Sequence, residues 1–141
     1  MRVFLVVLYM LSSPILFAQA ASDDDAIRGL LVEAYVEGIH INRDREAVMK
    51  GFHPDFVLHV YDGGNLIKAP LELWLGRLQL DGTSNTESID YTFDLIDITG
   101  NSAIAKMQIF ENSQHLYTDY FGLYKFEEGW KIVNKIFYGH Q

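Results

Sequence analysis

Two side chains have the chemistry of a proton-transfer site, His59 and Asp119. His59 lies in an alternating run at 56–61. If a bulge turns it inward, it is a general base near neutral pH; otherwise it is an outer-face histidine. Asp119 lies in a tyrosine-rich segment in which Gly122 is a sign of a bulge. A buried Asp119 would be an acid or base with a raised pKa, whereas at an edge or an interface it would be an inert charge.

Asn134 has the pattern of a ligand-binding residue. In the predicted last strand it shares its alternation with Trp130, Ile132, Ile136 and Tyr138. A polar side chain on a core face must find a hydrogen-bond partner, which is either a ligand or another buried side chain. Both readings of Asn134 remain open from the residues alone.

Tyr35 completes the set of candidate site residues, as a ligand contact and as a third catalytic candidate. It lies on the apolar stripe of the first predicted helix and, like Tyr138, carries a polar tip on an apolar body. We predict that Tyr35, Asn134 and Tyr138 supply the polar contacts of a mostly apolar pocket, the other reading being core packing. The predicted wall of this pocket consists of Leu31, Trp74, Met107, Tyr120 and Ile136.

Metal and cofactor chemistry has no support in the sequence. The five histidines share no ligand spacing, there is no glycine-rich phosphate loop, and there is no cysteine to act as a thiolate or form a disulfide. We therefore expect neither a metal nor a cofactor. The histidines are His40, His53, His59, His115 and His140.

The N-terminus has the order of a secretory signal peptide. Arg2 precedes an apolar run at 3–17, and Ala18 and Ala20 then fit the spacing of a cleavage site before Ala21. The alternative, a membrane anchor, is disfavoured because the run is shorter than the roughly 20 residues of a membrane span. We expect a secreted or periplasmic protein with one mature domain at 21–141.

The mature chain would be acidic. Removal of Arg2 with the leader leaves 10 basic residues against 19 acidic ones, a net charge of −9. Nucleic-acid binding needs clustered Lys and Arg, so we expect no nucleic-acid partner and no membrane partner after cleavage. The expected partner is a small hydrophobic or heterocyclic molecule.

Helices come first along the chain and strands dominate its second half. Apolar residues at helical spacing cover 27–41, a short second helix follows, and Pro70 opens a third helix that carries Trp74. Six runs read as strands, and the last two form a hairpin joined by Glu127, Glu128 and Gly129. The polar loop at 81–86 is the predicted lip of a pocket. This order predicts an α+β fold in which helices cover one face of a curved, mostly antiparallel sheet.

Five stretches make the chain resemble a known superfamily: AYVEG at 34–38, FHPD at 52–55, DITGNSA at 97–103, YTDY at 117–120 and GWKIVNK at 129–135. With these, the chain resembles the nuclear transport factor 2-like superfamily, also called SnoaL-like or cystatin-like. Within it, the chain is most similar to the "putative lumazine-binding" branch.

The resemblance implies a cone, in which a bent sheet of about six strands carries three helices on its concave face. The first and third helices would close an apolar pocket, and the outer sheet face would form a homodimer. Ketosteroid isomerases share this scaffold. Their oxyanion-binding tyrosine corresponds to Tyr35, but their two aspartates fall at Val60 and Gly122, so the resemblance implies a different chemistry here.

Three functions are consistent with this sequence. The first is a secreted or periplasmic small-molecule-binding domain. The second is a cofactor-independent isomerase, cyclase or dehydratase, of SnoaL-like lyase or isomerase type, acting on a small hydrophobic carbonyl or cyclic substrate. The third is a dimeric interaction domain without ligand. An inward acid–base pair would favour the second, and the absence of a cavity would favour the third.

Overall fold

Residues 22–140, which a computed structural model describes, fold in the predicted order of helices and strands. The helices are α1 (Asp23–Leu31), a π-helix that continues it (Val32–Ile41), α2 (Arg45–Gly51) and α3 (Leu71–Leu75). The strands are β1 (Phe52–Asp62), β2 (Asn65–Pro70), β3 (Ile89–Thr99), β4 (Ser102–Glu111), β5 (Gln114–Phe126) and β6 (Gly129–Gly139).

The six strands form one sheet in the order β2-β1-β6-β5-β4-β3. Strands β1 and β6 are parallel and all other neighbours are antiparallel. The sheet is curved but not closed, and the helices pack against it around one apolar core. The predicted α+β cone is confirmed, and Gly129 ends the last hairpin loop at a φ of +117°, which glycine tolerates.

The first turn of α1 is hydrogen-bonded to the β5–β6 hairpin beside its turn. Ser22 caps the helix by accepting a hydrogen bond from the backbone N–H of Asp25 at 3.1 Å. The Asp23 carboxylate accepts hydrogen bonds from Lys125 Nζ at 2.7 Å and Trp130 Nε1 at 2.9 Å. These contacts fix the direction in which the first helix crosses the sheet.

The π-helix determines which side chains face the core together. The N–H of Asn42 bonds to the carbonyl of Glu37 at 2.6 Å, a five-residue step. This spacing brings Tyr35 and His40 side by side, with ring centroids 4.9 Å apart and edge to face. An α-helix, at 3.6 residues per turn, would direct residues five apart to different sides.

The π-helix lies very close to α2. A Cβ at Gly51 would come within 2.2 Å of the Cβ of Ala34, and one at Gly38 within 3.1 Å of Val48 Cγ2. The element that approaches Gly38 is therefore α2 and not the sheet. Gly51 therefore sets the position of the helix that carries Tyr35.

Strand β6 changes its alternation in the middle. Gly122 pairs with Asn134 and Leu123 with Ile132, so Val133 has no partner on β5. Such a bulge moves every later side chain to the opposite face. Lys135 is consequently buried, whereas Asn134 is exposed.

The predicted face of the last strand is correct before this bulge and wrong after it. Trp130 and Ile132 face the core as expected. Ile136 and Tyr138 are 53% and 65% exposed on the outer face. Asn134 accepts a hydrogen bond from the N–H of Gly122 at 3.1 Å through its side-chain oxygen, so within the fold its partner is the backbone beside the bulge.

The predicted signal peptide lies outside the described residues. Within 22–140, no helix has both the length and the apolar character needed to cross a bilayer.

We predict that Gly51→Ala lowers the free energy of unfolding by about 1–3 kcal/mol, because the added methyl group collides with Ala34. Gly29→Ala is the matched control, since a Cβ there meets nothing within 4 Å and alanine favours the helix by up to about 1 kcal/mol. Urea unfolding of both variants measures the difference. Equal stability of the two would contradict the packing described for α2.

Candidate functional site

An ion pair lies in the middle of the core. Lys135 is 5% exposed and Asp119 is 0% exposed, and Lys135 Nζ is 2.8 Å from Asp119 Oδ1. The two atoms are within salt-bridge distance, and Lys135 is the partner of Oδ1 among the described residues. Asp119 is therefore buried rather than an edge charge, which settles the alternatives left open for its location.

Tyr35 holds the other oxygen of this carboxylate. Its hydroxyl donates a hydrogen bond to Asp119 Oδ2 at 2.7 Å. Burial raises the pKa of Tyr35 well above its usual value, and the charge of Asp119 adds to the effect. Tyr35 is thus a proton-bearing donor at neutral pH, positioned by the π-helix over strand β5.

The ammonium group of Lys135 is surrounded by aromatic rings. Its Nζ lies between 4.7 and 6.0 Å from five ring centroids, those of Tyr35, Trp74, Tyr117, Phe121 and Phe137. Burial lowers the pKa of Lys135, while Asp119 acts in the opposite direction. The ring faces and one carboxylate are the groups that stabilise the cation there.

His40 adds a neutral imidazole to this group. Burial, followed by the nearby charge of Lys135, lowers the pKa of His40 to about 4. Its Nε2 is buried and has no hydrogen-bond partner within residues 22–140. A buried ring nitrogen without a partner is costly, so a hydrogen-bonding ligand at this position would remove that cost.

Three of these residues, Tyr35, His40 and Lys135, line a cavity of about 110 Å³ between the helices and the concave sheet face. Its walls are mostly apolar, and these three side chains and Tyr117 supply the polar positions. Asp119 is not a lining residue and meets the cavity through its contacts with Tyr35 and Lys135. The lining residues are Tyr35, Ile39, His40, Leu58, Trp74, Leu78, Tyr117, Lys135 and Phe137. Asn85 of the predicted lip lies nearby and donates its side-chain N–H to the carbonyl of His40 at 3.0 Å.

The structure separates the predicted site residues into three groups. Tyr35 and Trp74 line the cavity. Leu31 and Met107 are fully buried in the core without reaching it. The third group lies on the opposite, outer face of the sheet, where most of its members line an apolar groove. The members of this group are His59, Tyr120, Asn134, Ile136 and Tyr138. His59 thus belongs to the groove, as the outer-face reading had it.

Sequence reasoning missed Lys135 and His40. Lys135 is the one charged residue in the stretch at 132–138, which apart from Asn134 is otherwise aromatic or β-branched, and this was a usable signal. Strict alternation nevertheless placed it outside. His40 falls off the α-helical stripe and joins the core only because the helix is of the π type.

Metal ligands do not cluster in the described part of the chain. Within 22–140 no group of three or more His, Cys, Asp or Glu side chains could hold an ion. The chemistry that these residues offer is therefore that of an amine, a carboxylate, a phenol and an imidazole.

Comparison with known proteins places the chain in a family. The family profile described as "Putative lumazine-binding" matches residues 22–138. The chain belongs to this family. A curated protein named Aldolase FrzH, from Cladobotryum sp, is 30% identical over 107 residues, which cover 75% of this chain and 83% of that protein.

Solved structures show the same fold. A protein of unknown function from Shewanella baltica OS155, described as NTF2-like, has a TM-score of 0.70 at 24% identity and covers 84% of this chain and 94% of its own. A protein described as a putative ketosteroid isomerase, from Shewanella frigidimarina NCIMB 400, has a TM-score of 0.58 at 17% identity, covering 82% and 97%. The nuclear transport factor 2-like resemblance is confirmed, and the family and fold support a small-molecule-binding or isomerase-like domain.

We predict that His40 makes the protein sensitive to acid. Between pH 6.5 and about 4 the unfolded chain binds a proton at this histidine that the folded chain does not. The free energy of unfolding therefore falls as the pH drops through this range, by about 3 kcal/mol in total. His40→Phe should remove most of this fall. Urea unfolding at neutral pH and near pH 4 is compared within each variant, so that any packing change cancels. An unchanged pH dependence in His40→Phe would contradict the prediction.

Proposed function

We propose that this domain is a cofactor-independent lyase or isomerase that acts on a small carbonyl compound in the cavity beside Lys135. The observation that carries the proposal is the buried Tyr35–Asp119–Lys135 network at the wall of an apolar cavity. Sequence reasoning ranked a binding domain first. The inward acid–base groups favour the second hypothesis instead.

The network contains the groups that carbonyl chemistry requires. A carboxylate can remove a proton from the carbon next to a carbonyl, and the hydroxyl of Tyr35 and the charge of Lys135 can stabilise the oxygen that becomes negative. Within residues 22–140, Asp119 Oδ1 contacts only the ammonium of Lys135, so it can act as the base once that proton has moved. The curated relative is named an aldolase, and aldol reactions begin with this proton removal. This chemistry does not need the two aspartates of ketosteroid isomerases, whose positions are occupied here by Val60 and Gly122.

The test is hydrogen–deuterium exchange next to the carbonyl group of small neutral ketones, followed by proton NMR. We expect the wild type to accelerate exchange and Asp119→Asn to lower the rate by about 10²–10⁴-fold. The exposed pair Lys106–Asp94, at 3.1 Å, supplies the matched control Asp94→Asn, which should exchange at the wild-type rate. Binding of these ketones without accelerated exchange would favour the binding domain instead and contradict the proposal.

Loss of folding must be separated from loss of chemistry. Removal of one charge from a buried pair costs about 3–5 kcal/mol. Tyr35→Phe is the milder variant, because it removes one hydrogen bond and keeps the ring. It should also exchange more slowly while its circular dichroism spectrum remains that of the wild type.

We also propose that a second copy of the chain covers the outer face of the sheet. No helix of residues 22–140 covers this face, which carries an apolar groove of about 620 Å³. A contiguous exposed apolar surface of this kind is typical of interfaces. Among its exposed members are Leu66, Leu95, Ile104, Tyr120 and Ile136.

The dimer is tested by sedimentation equilibrium at micromolar concentration. The wild type should be a dimer and Ile104→Asp a monomer, because a charge would be buried at the interface without a partner. Leu73→Asp, on α3 and 49% exposed, is the control and should remain dimeric. A monomeric wild type would refute the interface.

Export is a further proposal. An intact mass that corresponds to a chain beginning at Ala21 would support it, while a retained leader would count against it.

A further inference from the structure

We propose that Lys135 is a nucleophile that forms a Schiff base with the carbonyl carbon of an aldehyde or ketone in the cavity. This inference rests on the proposed function and specifies its covalent step. It concerns a residue that strict strand alternation would place outside the core.

The surroundings of Lys135 suit an amine that must lose its charge. The side chain is 5% exposed, so burial opposes its charge. The Asp119 carboxylate, the only ionised side chain within salt-bridge distance of it among the described residues, can take its proton. Other titratable groups that face the cavity are His40, Tyr35 and Tyr117. Burial lowers the pKa of Lys135, which increases the fraction of neutral, nucleophilic amine.

A purely structural role explains this pair less well. A buried ion pair usually contributes no more stability than apolar side chains of the same volume would. Here Lys135 of the pair lines a cavity, and the same cavity contains the Nε2 of His40, which has no hydrogen-bond partner within residues 22–140. A carbonyl compound that reaches Lys135 would therefore also meet the hydrogen-bonding ring nitrogen of His40 in the same small cavity.

The covalent step balances without any further reactant. The ammonium group of Lys135 first gives a proton to Asp119, and the neutral amine then adds to the carbonyl carbon. The carbonyl π electrons move to oxygen, which takes one of the two protons of the adduct nitrogen and gives a neutral carbinolamine. Asp119 then returns its proton to that oxygen, which leaves as water while the nitrogen lone pair forms the C=N bond. One ammonium and one carbonyl thus become one iminium and one water.

The charge distribution of the site supports this step. The iminium carries its positive charge at the position of the former ammonium, so the Asp119 carboxylate faces a cation both before and after the step. Between these states the amine and the protonated Asp119 are both neutral, so no buried charge is left without its partner, which would be costly. The Asp119 carboxylate can then accept the proton from the carbon next to the iminium, and this gives an enamine.

The cavity also limits the substrate. About 110 Å³ is less than the roughly 150 Å³ of an engineered apolar cavity that binds benzene. The reacting part of the substrate is therefore a small neutral aldehyde or ketone. A carboxylate-bearing substrate would add a second anion to a site whose single cation is already paired, and this is unfavourable.

The experiment treats the mature protein with acetone at neutral pH and then with sodium borohydride, which reduces an imine to a stable amine. Peptide mass mapping locates the attached isopropyl group. We expect modification at Lys135 before Lys50, which is 74% exposed on α2 and outside the proposed dimer interface. Each unit by which the pKa of an amine falls increases its neutral fraction about tenfold. Lys135→Arg keeps the cation but forms no imine, so it should show no adduct at this position.

The outcomes separate this proposal from the proposed function. Modification of Lys135 ahead of Lys50 supports the Schiff base. Adducts at Lys50 and other exposed lysines, with Lys135 unmodified, overturn it. If ketone exchange is accelerated while Lys135 remains unmodified, the Schiff base is refuted and a non-covalent proton-transfer enzyme remains. If neither occurs, both proposals fail. The mapping uses the wild type, so its result does not depend on whether Lys135→Arg folds.

Discussion

The buried contact between Lys135 and Asp119 is the constraint on which the site depends. Both groups are held away from water, and each has the other as its only opposite charge within 4.0 Å among the described residues. The isolated charges would cost several kcal/mol each, so removing either one destabilises the other. Tyr35 must approach from the helix layer to supply the hydrogen bond to Asp119. The helix, β5 and β6 are thereby fixed relative to one another.

Two irregularities of the backbone assemble this site. The bulge at Val133 turns Lys135 inward, and the π-helix brings His40 to the same side as Tyr35. Both are departures from regular repeats, and such departures are frequent at functional sites. The close packing of Gly51 against Ala34 then holds the π-helix at the depth at which Tyr35 reaches Asp119.

The regular parts of this fold were predictable from the sequence. Element order, the final hairpin and the buried positions of Tyr35 and Trp74 follow from periodicity that the structure preserves. The burial of Lys135 could not be predicted in this way. The unpaired residue Val133 reverses which side chains of the strand face the core, and Val133 looks like any strand residue in the sequence. Gly122 did signal a bulge, but the extra residue lies on the partner strand. The ligand is not predictable, since cavity shape depends on all of these positions together.

The most direct measurement is the pKa of Lys135 itself, from lysine-selective NMR titration with Lys135→Arg used to assign the resonance. The account predicts titration below the usual 10.5, because burial outweighs the charge of Asp119. Titration at or above 10.5 would show a permanent ammonium held by Asp119. That result would contradict a nucleophilic lysine and leave the pair as a structural contact.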